Sequence, residues 1–384
     1  VTFKYKREAA IEYVETFLQQ DSDSAMAKRA RSGAGVYAVK LYDFSRPVGQ
    51  ELLTDEEAGI DPDVASDVAT SISYSNRSVA VFVIDIRSHK TPYNQHYIKK
   101  FKLDYDGDFL GETQWAWLKE GLSRSKASVN VIVNGLQVHA DKYSDPNVAE
   151  AWARFPTAQQ RFYNLLMQSS ANVPILISGD VHHASLSRKD CTNKNEDVSQ
   201  QHQPRSLMEM TTSGMTHSWN TNFCAAPSTT CRWWYTKLSA KTCMAFGYFT
   251  NPWTEIITVE KGMEGAKSGM QYSLDLNFGE LEFDWESRMV QARVMGVEKE
   301  PPLLSVQWKM DDTSSFPGNA ESSWECANYR GSVHPVLHVM GQVASVSLIM
   351  SFMCFPSVLA IVMVAVLCRV YFRSSRSATH LRRS

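Results

Sequence analysis

The stretch Pro174-Ile-Leu-Ile-Ser-Gly-Asp-Val-His-His-Ala184 decides how the rest of the chain is read. Ile175 to Ile177 is a short apolar run of the kind that makes a buried strand. Gly179 follows, and a glycine there lets the backbone turn sharply as the strand ends. Asp180, His182 and His183 come next. In open α/β sheets, ligands bind beyond the carboxyl ends of the strands. A carboxylate and an imidazole two residues apart are donors that suit a metal which activates water. A capped strand end with ordinary loop histidines fits the same residues, so the surrounding chain has to separate the two.

Working outward, Val79 to Ile86 is nearly continuous apolar, as in a strand covered on both faces. Asp85 and Arg87 at its end could pair with each other or touch a ligand. Leu110 to Leu122 has the spacing of a helix, with Trp115, Leu118 and Leu122 on its core stripe. Val129 to Val133 is the next strand, with Asn134, Gln137 and His139 just beyond it. A second helix starts near Phe155, where Thr157 and Gln160 have capping-box spacing and Phe162, Leu165 and Leu166 make a buried face. Strands alternating with helices predict a largely parallel α/β sheet. Leu207 to Trp219 is a strand running into a polar turn. Glu209, Ser213 and His217 there are either ligand-holding or ordinary turn residues. Leu281, Phe283 and Trp285 alternate with Glu282 and Asp284, and Met289 to Val294 returns, which predicts an outer meander.

The beginning of the chain is read as packing. Arg7 to Gln20 is an amphipathic helix with Ala10, Tyr13, Val14, Phe17 and Leu18 on one face, and Lys28 to Gly35 is a basic loop. Arg46 to Ser78 reads as an acidic, solvated insert. Its Asp61-Pro-Asp63 lacks the repeated oxygen-ligand spacing of a calcium loop.

The net charge of −2 gives no reason to expect a nucleic-acid partner. No charged residue lies between Gly341 and Cys368, and about 20 apolar residues suffice to span a bilayer. Residues 341–368 are therefore expected to be a single transmembrane helix, with Pro356 tolerated inside it. Arg369, Arg373, Arg376, Arg382 and Arg383 place the tail, residues 369–384, in the cytoplasm and everything before the helix outside or in a lumen. Residues 298–340 are read as a polar linker. An oxidising compartment would permit disulfides among Cys191, Cys224, Cys231, Cys243 and Cys326, with connectivity open. Asn76-Arg-Ser78 is a glycosylation sequon that suits the same side of a membrane.

Five stretches in order resemble the PhoD-type alkaline phosphatase/phosphodiesterase group of the calcineurin-like metallophosphatases. They are Phe82-Val-Ile-Asp-Ile-Arg87, Leu110-Gly-Glu-Thr-Gln-Trp-Ala-Trp-Leu118, Ser178-Gly-Asp-Val-His-His183, Thr212-Ser-Gly-Met-Thr-His-Ser218 and Asn277-Phe-Gly-Glu-Leu-Glu-Phe-Asp284. The resemblance implies an α/β fold, a four-layer sandwich of two mixed sheets flanked by helices, within residues 1–297. It implies hydrolysis of phosphate esters at a two-metal site, in which both attacking and leaving oxygens are stabilised. The metals would be iron, calcium, zinc or manganese, a choice the donors do not make. Asp180 and His182 carry over as metal-site residues, with His183 beside them and His217 near the site as catalytic candidates. The family's first metal ligands precede the helix that this chain resembles near Arg7. The chain opens on Val1 rather than Met and is expected to begin after those ligands and to be inactive alone. A membrane-tethered binding module on the same fold, its chemistry lost, is the alternative. A serine hydrolase built on Ser213 or Ser218 is disfavoured, because no Gly-x-Ser-x-Gly elbow is present. The partners implied are a phosphoester substrate and a membrane, with the oligomeric state open.

Overall fold

The computed structural model describes residues 3–54, 58–64, 75–92, 107–140, 150–168, 174–193, 205–218, 255–256, 272–297, 301–310, 324–326, 363–364 and 366. The chain divides into two units, one holding residues 1–237 and 253–330, the other residues 238–252 and 331–384. The described residues of the second unit are Met363, Val364 and Val366, all helical. The expected transmembrane segment otherwise lies outside the described residues. So do Trp219 to Pro252, with Cys224, Cys231 and Cys243. Among the described residues no helix is long and apolar enough to cross a membrane.

In the first unit, α1 (Lys6–Glu12) runs into a π-helical turn at Tyr13–Phe17. The wider turn rotates the expected face. Val14 is fully buried, whereas Tyr13 and Phe17 stack on each other and are exposed. Residues read as a basic loop instead form α2 (Ala25–Ser32). Ser24 caps it by accepting from the Ala27 N–H at 3.2 Å, and Gly33 ends it in the left-handed conformation at φ 79°. The reason is Arg29, which is not a solvated loop cation but a buried one. It pairs with Asp61, donates from Nε to Asp63 at 2.6 Å, and donates to the Tyr37 carbonyl at 2.9 Å. The acidic insert is corrected by the same contact: Asp61 is buried, and Leu53, Ala58 and Ile60 are buried with it.

Nine strands of one mixed sheet are found among the described residues. Along its main path the order is β1 (Ala38–Asp43), β2 (Ser78–Val83), β3 (Val129–Val133), β4 (Ile175–Ser178), β6 (Arg205–Thr212), β5 (Ala184–Asn193) and β12 (Trp324–Cys326). The short β7 (Glu255–Ile256) and β8 (Tyr272–Ser273) also pair with β5. The neighbours β2–β3, β3–β4 and β4–β6 are parallel. β1, β5 and β12 join antiparallel. Helices α3 (Glu112–Arg124) and α4 (Pro156–Met167) accompany β2 to β4 in chain order.

Side chains alternate across a strand, so each strand feeds two cores. Ala80, Phe82, Ile132 and Leu176 cluster with Trp115, Leu118, Phe162 and Leu166 of the helices. Val79, Val129, Val131 and Ile175 cluster instead with Val290 and Met310, while Leu186 and Met210 cluster with Ala292, Val294, Leu304 and Val306. These partners, apart from Met310 one residue past its last strand, belong to a second sheet of β9 (Phe278–Asp284), β10 (Met289–Met295) and β11 (Leu304–Lys309), ordered β11-β10-β9. Coverage on both faces is why β2 to β4 read as continuous apolar runs.

Two expectations need correction here. The second sheet is antiparallel throughout its described strands, not mixed. The described residues show three layers, helix on sheet on sheet. The stretch read as a linker supplies β11, which completes the second sheet, and β12, whose Cys326 is disulfide-bonded to Cys191 on β5. The linker's polar composition hid these strands because β11 buries only Leu304, Ser305 and Val306 and β12 is three residues long. The expected capping box on α4 also does not form. Phe155 holds the N-cap position and Pro156 the first turn, where a missing N–H costs nothing. Gln160 reaches across to the Trp324 carbonyl at 2.6 Å instead.

Candidate active site

The three parallel pairings bring the carboxyl ends of β2, β3, β4 and β6 to one edge of the sheet. The segments leaving that edge carry most of the polar residues singled out in the sequence. At the end of β2, Asp85 does not pair with Arg87. It accepts from the backbone N–H groups of Val36 at 2.8 Å, Arg87 at 2.8 Å and Ser88 at 3.0 Å. Gln114 of α3 closes this strand end, accepting from Asp85 N–H at 2.7 Å and donating to its carbonyl at 2.8 Å. A fully buried glutamine beside Trp115 was a signal the helical pattern offered and the core-stripe reading passed over.

Beyond β3, Asn134, Gln137 and His139 turn to structural partners. Asn134 Oδ1 accepts from Leu136 N–H at 3.1 Å and from Trp152 Nε1 at 3.2 Å. Gln137 donates to Thr211 Oγ1 at 3.1 Å, and Thr211 in turn lies 2.9 Å from Ser178 Oγ. His139 is a core histidine rather than a loop one. Its ring nitrogens meet Tyr163 Oη and the Leu207 carbonyl, and burial, with Lys189 nearby, pushes its pKa down to about 3. Glu209 orients this segment. Its buried carboxylate accepts from the Val138 and His139 N–H groups at 2.7 and 2.8 Å, while burial raises its pKa above the ordinary value.

Beyond β4 the sharp turn is not made by Gly179, which has no positive φ. Asp180 (φ 73°) and His182 (φ 57°) take the left-handed conformation instead. Non-glycine residues held there store about 1–3 kcal/mol each and cluster where function requires a particular geometry. The Asp180 carboxylate is exposed, and Arg87 Nη2 stands 3.9 Å from it. His182 is half-buried, and its ring meets that of His217 edge-to-face at 4.3 Å between centroids. His217 is exposed on the turn after β6, its Nδ1 2.9 Å from Thr216 Oγ1. His183 points the other way. It is 2% exposed, its Nδ1 lies 3.1 Å from the Val181 carbonyl, and burial pushes its pKa down to about 4. Ser213 Oγ donates to the His183 carbonyl at 3.2 Å, a positioning contact and not a nucleophile's setting.

Asp180, His182 and His217 are therefore brought to one edge, and His183 and His139 are not. The donor types suit a metal. Yet among the described residues no three His, Cys, Asp or Glu side chains converge on a common point. The described residues by themselves do not make up a two-metal centre. Glu150 is the residue that sequence reasoning missed altogether. It accepts from Arg87 Nη1 at 2.5 Å and from Lys90. Burial alone would raise its pKa, but hydrogen bonds from Lys90 and Arg87 bring it below the ordinary value.

The family model for PhoD-like phosphatases matches residues 50–253, more than half of the chain and a span that holds all of these segments. The chain belongs to the PhoD-like phosphatase family. A solved structure described as "Structure of PhoD" aligns with 66% of this chain and 42% of its own length, at 15% identity and a TM-score of 0.34. The chain thus spans less than half the length of that protein. No curated protein matches it.

Proposed function

We propose that this chain takes part in hydrolysis of phosphate esters, with the Asp180–His182 loop and His217 at the reacting centre. The observation that carries the reading is the strained loop itself. Two non-glycine residues adopt left-handed backbone beside an available glycine, which leaves the Asp180 carboxylate exposed near Arg87 and sets the His182 imidazole against His217 at the carboxyl edge of the sheet. Family membership supplies the reaction class. Asp180 and His182 are the metal-site candidates by the same reading, and the metal is one that the assay has to identify.

The test uses the full chain and an aryl phosphate, with iron, zinc, manganese and calcium supplied in turn. Asp180→Gly is the informative variant, because glycine relieves the left-handed strain. It is expected to leave stability unchanged or raise it by up to about 1 kcal/mol, while turnover falls by about two orders of magnitude. His182→Ala is expected to lose turnover similarly. A parent chain inactive with every metal, as the sequence reading expects of the chain alone, or an Asp180→Gly chain as active as the parent, overturns the reading.

We further propose that the chain is membrane-anchored through residues 341–368, with the hydrolase unit on the outer or luminal face. The uncharged run from Gly341 to Cys368 and the arginines after it support this. Alkaline carbonate extraction of expressing cells is expected to leave the full chain in the membrane pellet and to release a chain lacking residues 341–384. Release of the full chain would refute the anchor.

A further inference from the structure

We propose that Arg87 is a phosphoryl-binding residue whose guanidinium is aimed across the site by Glu150. This deepens the reading above and rests on it for the identity of the site. Arg87 leaves the carboxyl end of β2, in line with the edge where α/β sheets place their ligands. Its backbone is fixed, since the Arg87 and Ser88 N–H groups both donate to Asp85 Oδ1. Its side chain is 56% exposed yet held at one corner, with Nη1 on Glu150 Oε2 at 2.5 Å. The other corner, Nη2, faces Asp180 Oδ1 at 3.9 Å, which is too long for a hydrogen bond. A guanidinium has five N–H donors in a rigid fork that matches the spacing of phosphate oxygens.

The charge arrangement favours this over a purely structural ion pair. Glu150 takes two cations, Arg87 and Lys90, so the trio carries a net positive charge beside the Asp180 loop. One anion shared by two cations holds both in place without neutralising them. A phosphoryl group entering between Arg87 and the His182–His217 pair would replace the long Arg87–Asp180 approach with charge-assisted hydrogen bonds. Arginine rather than lysine is suited to this position because Nη1 can stay on Glu150 while Nη2 turns to the ligand. In the same way, Asp180 repels an incoming dianion unless Arg87 offsets it, which makes the two residues a matched pair.

The test measures equilibrium binding of inorganic phosphate to the full chain by calorimetry, beside hydrolysis of an aryl phosphate. Arg87→Ala is expected to weaken phosphate binding at least tenfold and to raise KM more than it lowers kcat, with the melting temperature unchanged. Arg87→Lys is expected to recover part of the affinity, and Glu150→Gln to lose part of it. Asp180→Gly is expected to lose turnover while still binding phosphate. Unchanged phosphate affinity in Arg87→Ala, or no measurable phosphate binding by the parent, overturns the proposal even if the parent hydrolyses the ester. Arg87-dependent phosphate binding in a parent without turnover upholds it and overturns the hydrolytic reading instead.

Discussion

Arg29→Ala is expected to destabilise the first unit by about 3–5 kcal/mol, the range found when one partner of a buried ion pair is removed. Arg29 is 4% exposed and is tied on every side. Its guanidinium pairs with Asp61 and Asp63, donates to the Tyr37 carbonyl at 2.9 Å, and lies 4.8 Å from the Tyr37 ring and 5.1 Å from the Trp117 ring. Removal leaves Asp61 buried with only neutral donors, Trp117 Nε1 at 2.9 Å and the Asp63 backbone N–H at 3.1 Å. The Asp63 contact adds little, because that carboxylate is half exposed. Arg29→Lys is also expected to be costly, since an ammonium cannot serve two carboxylates and a carbonyl while stacking on two rings. The decisive comparison is Arg29→Met combined with Asp61→Leu. Removing both charges avoids the stranded carboxylate and is expected to recover most of the loss. Urea unfolding of the two single variants and the double reads this directly. Additive losses would show that the ion pair is not coupled.

That ion pair also marks what sequence patterning could and could not reach. The parallel strands were legible because both faces of β2, β3 and β4 are covered, which leaves an unbroken apolar run. The β9–β10 hairpin was legible because only one face is covered, which leaves alternation. Neither signal exists for Arg29 and Asp61, since their pairing is across 32 residues and depends on the insert folding back over α2. Composition made the same insert look solvated. β11 was hidden by Pro301, Pro302 and a polar surround, and β12 by its length. Among the site candidates, Asp180 and His182 were singled out by their spacing on the loop after a buried strand, and His217 by the family resemblance of its turn. Their backbone strain was not visible, because Gly179 offered an obvious place for the turn and the chain does not use it. Glu150 had no local signal at all: its role is set by Lys90 and by Arg87, 63 residues earlier.

The second large effect is a pH dependence located at His139. Burial is its principal cause, and the ring is fully enclosed. The folded pKa of about 3 lies below the ordinary value of 6.5. The unfolded chain therefore takes up a proton below pH 6.5 that the folded chain refuses until about pH 3. Stability is lost as pH falls through that window, at up to about 1.4 kcal/mol per pH unit. Glu209, which holds the His139 N–H, acts in the opposite sense. Its folded pKa is raised, mainly by burial, so its contribution is present below 4.5 and declines as pH rises above it. The two slopes oppose each other above pH 4.5, and His139 acts alone of the pair below it. His139→Gln removes the titration while keeping a side-chain donor and acceptor for Tyr163 and the Leu207 carbonyl. The stability difference between parent and variant is thus expected to shrink with falling pH by about 1.4 kcal/mol per unit. Urea midpoints at pH 7, 5.5 and 4 measure it. A difference that stays constant across those three values would mean that the ring gains a proton in the folded chain as readily as in the unfolded one, and that the Tyr163–His139–Leu207 contacts open before the fold is lost.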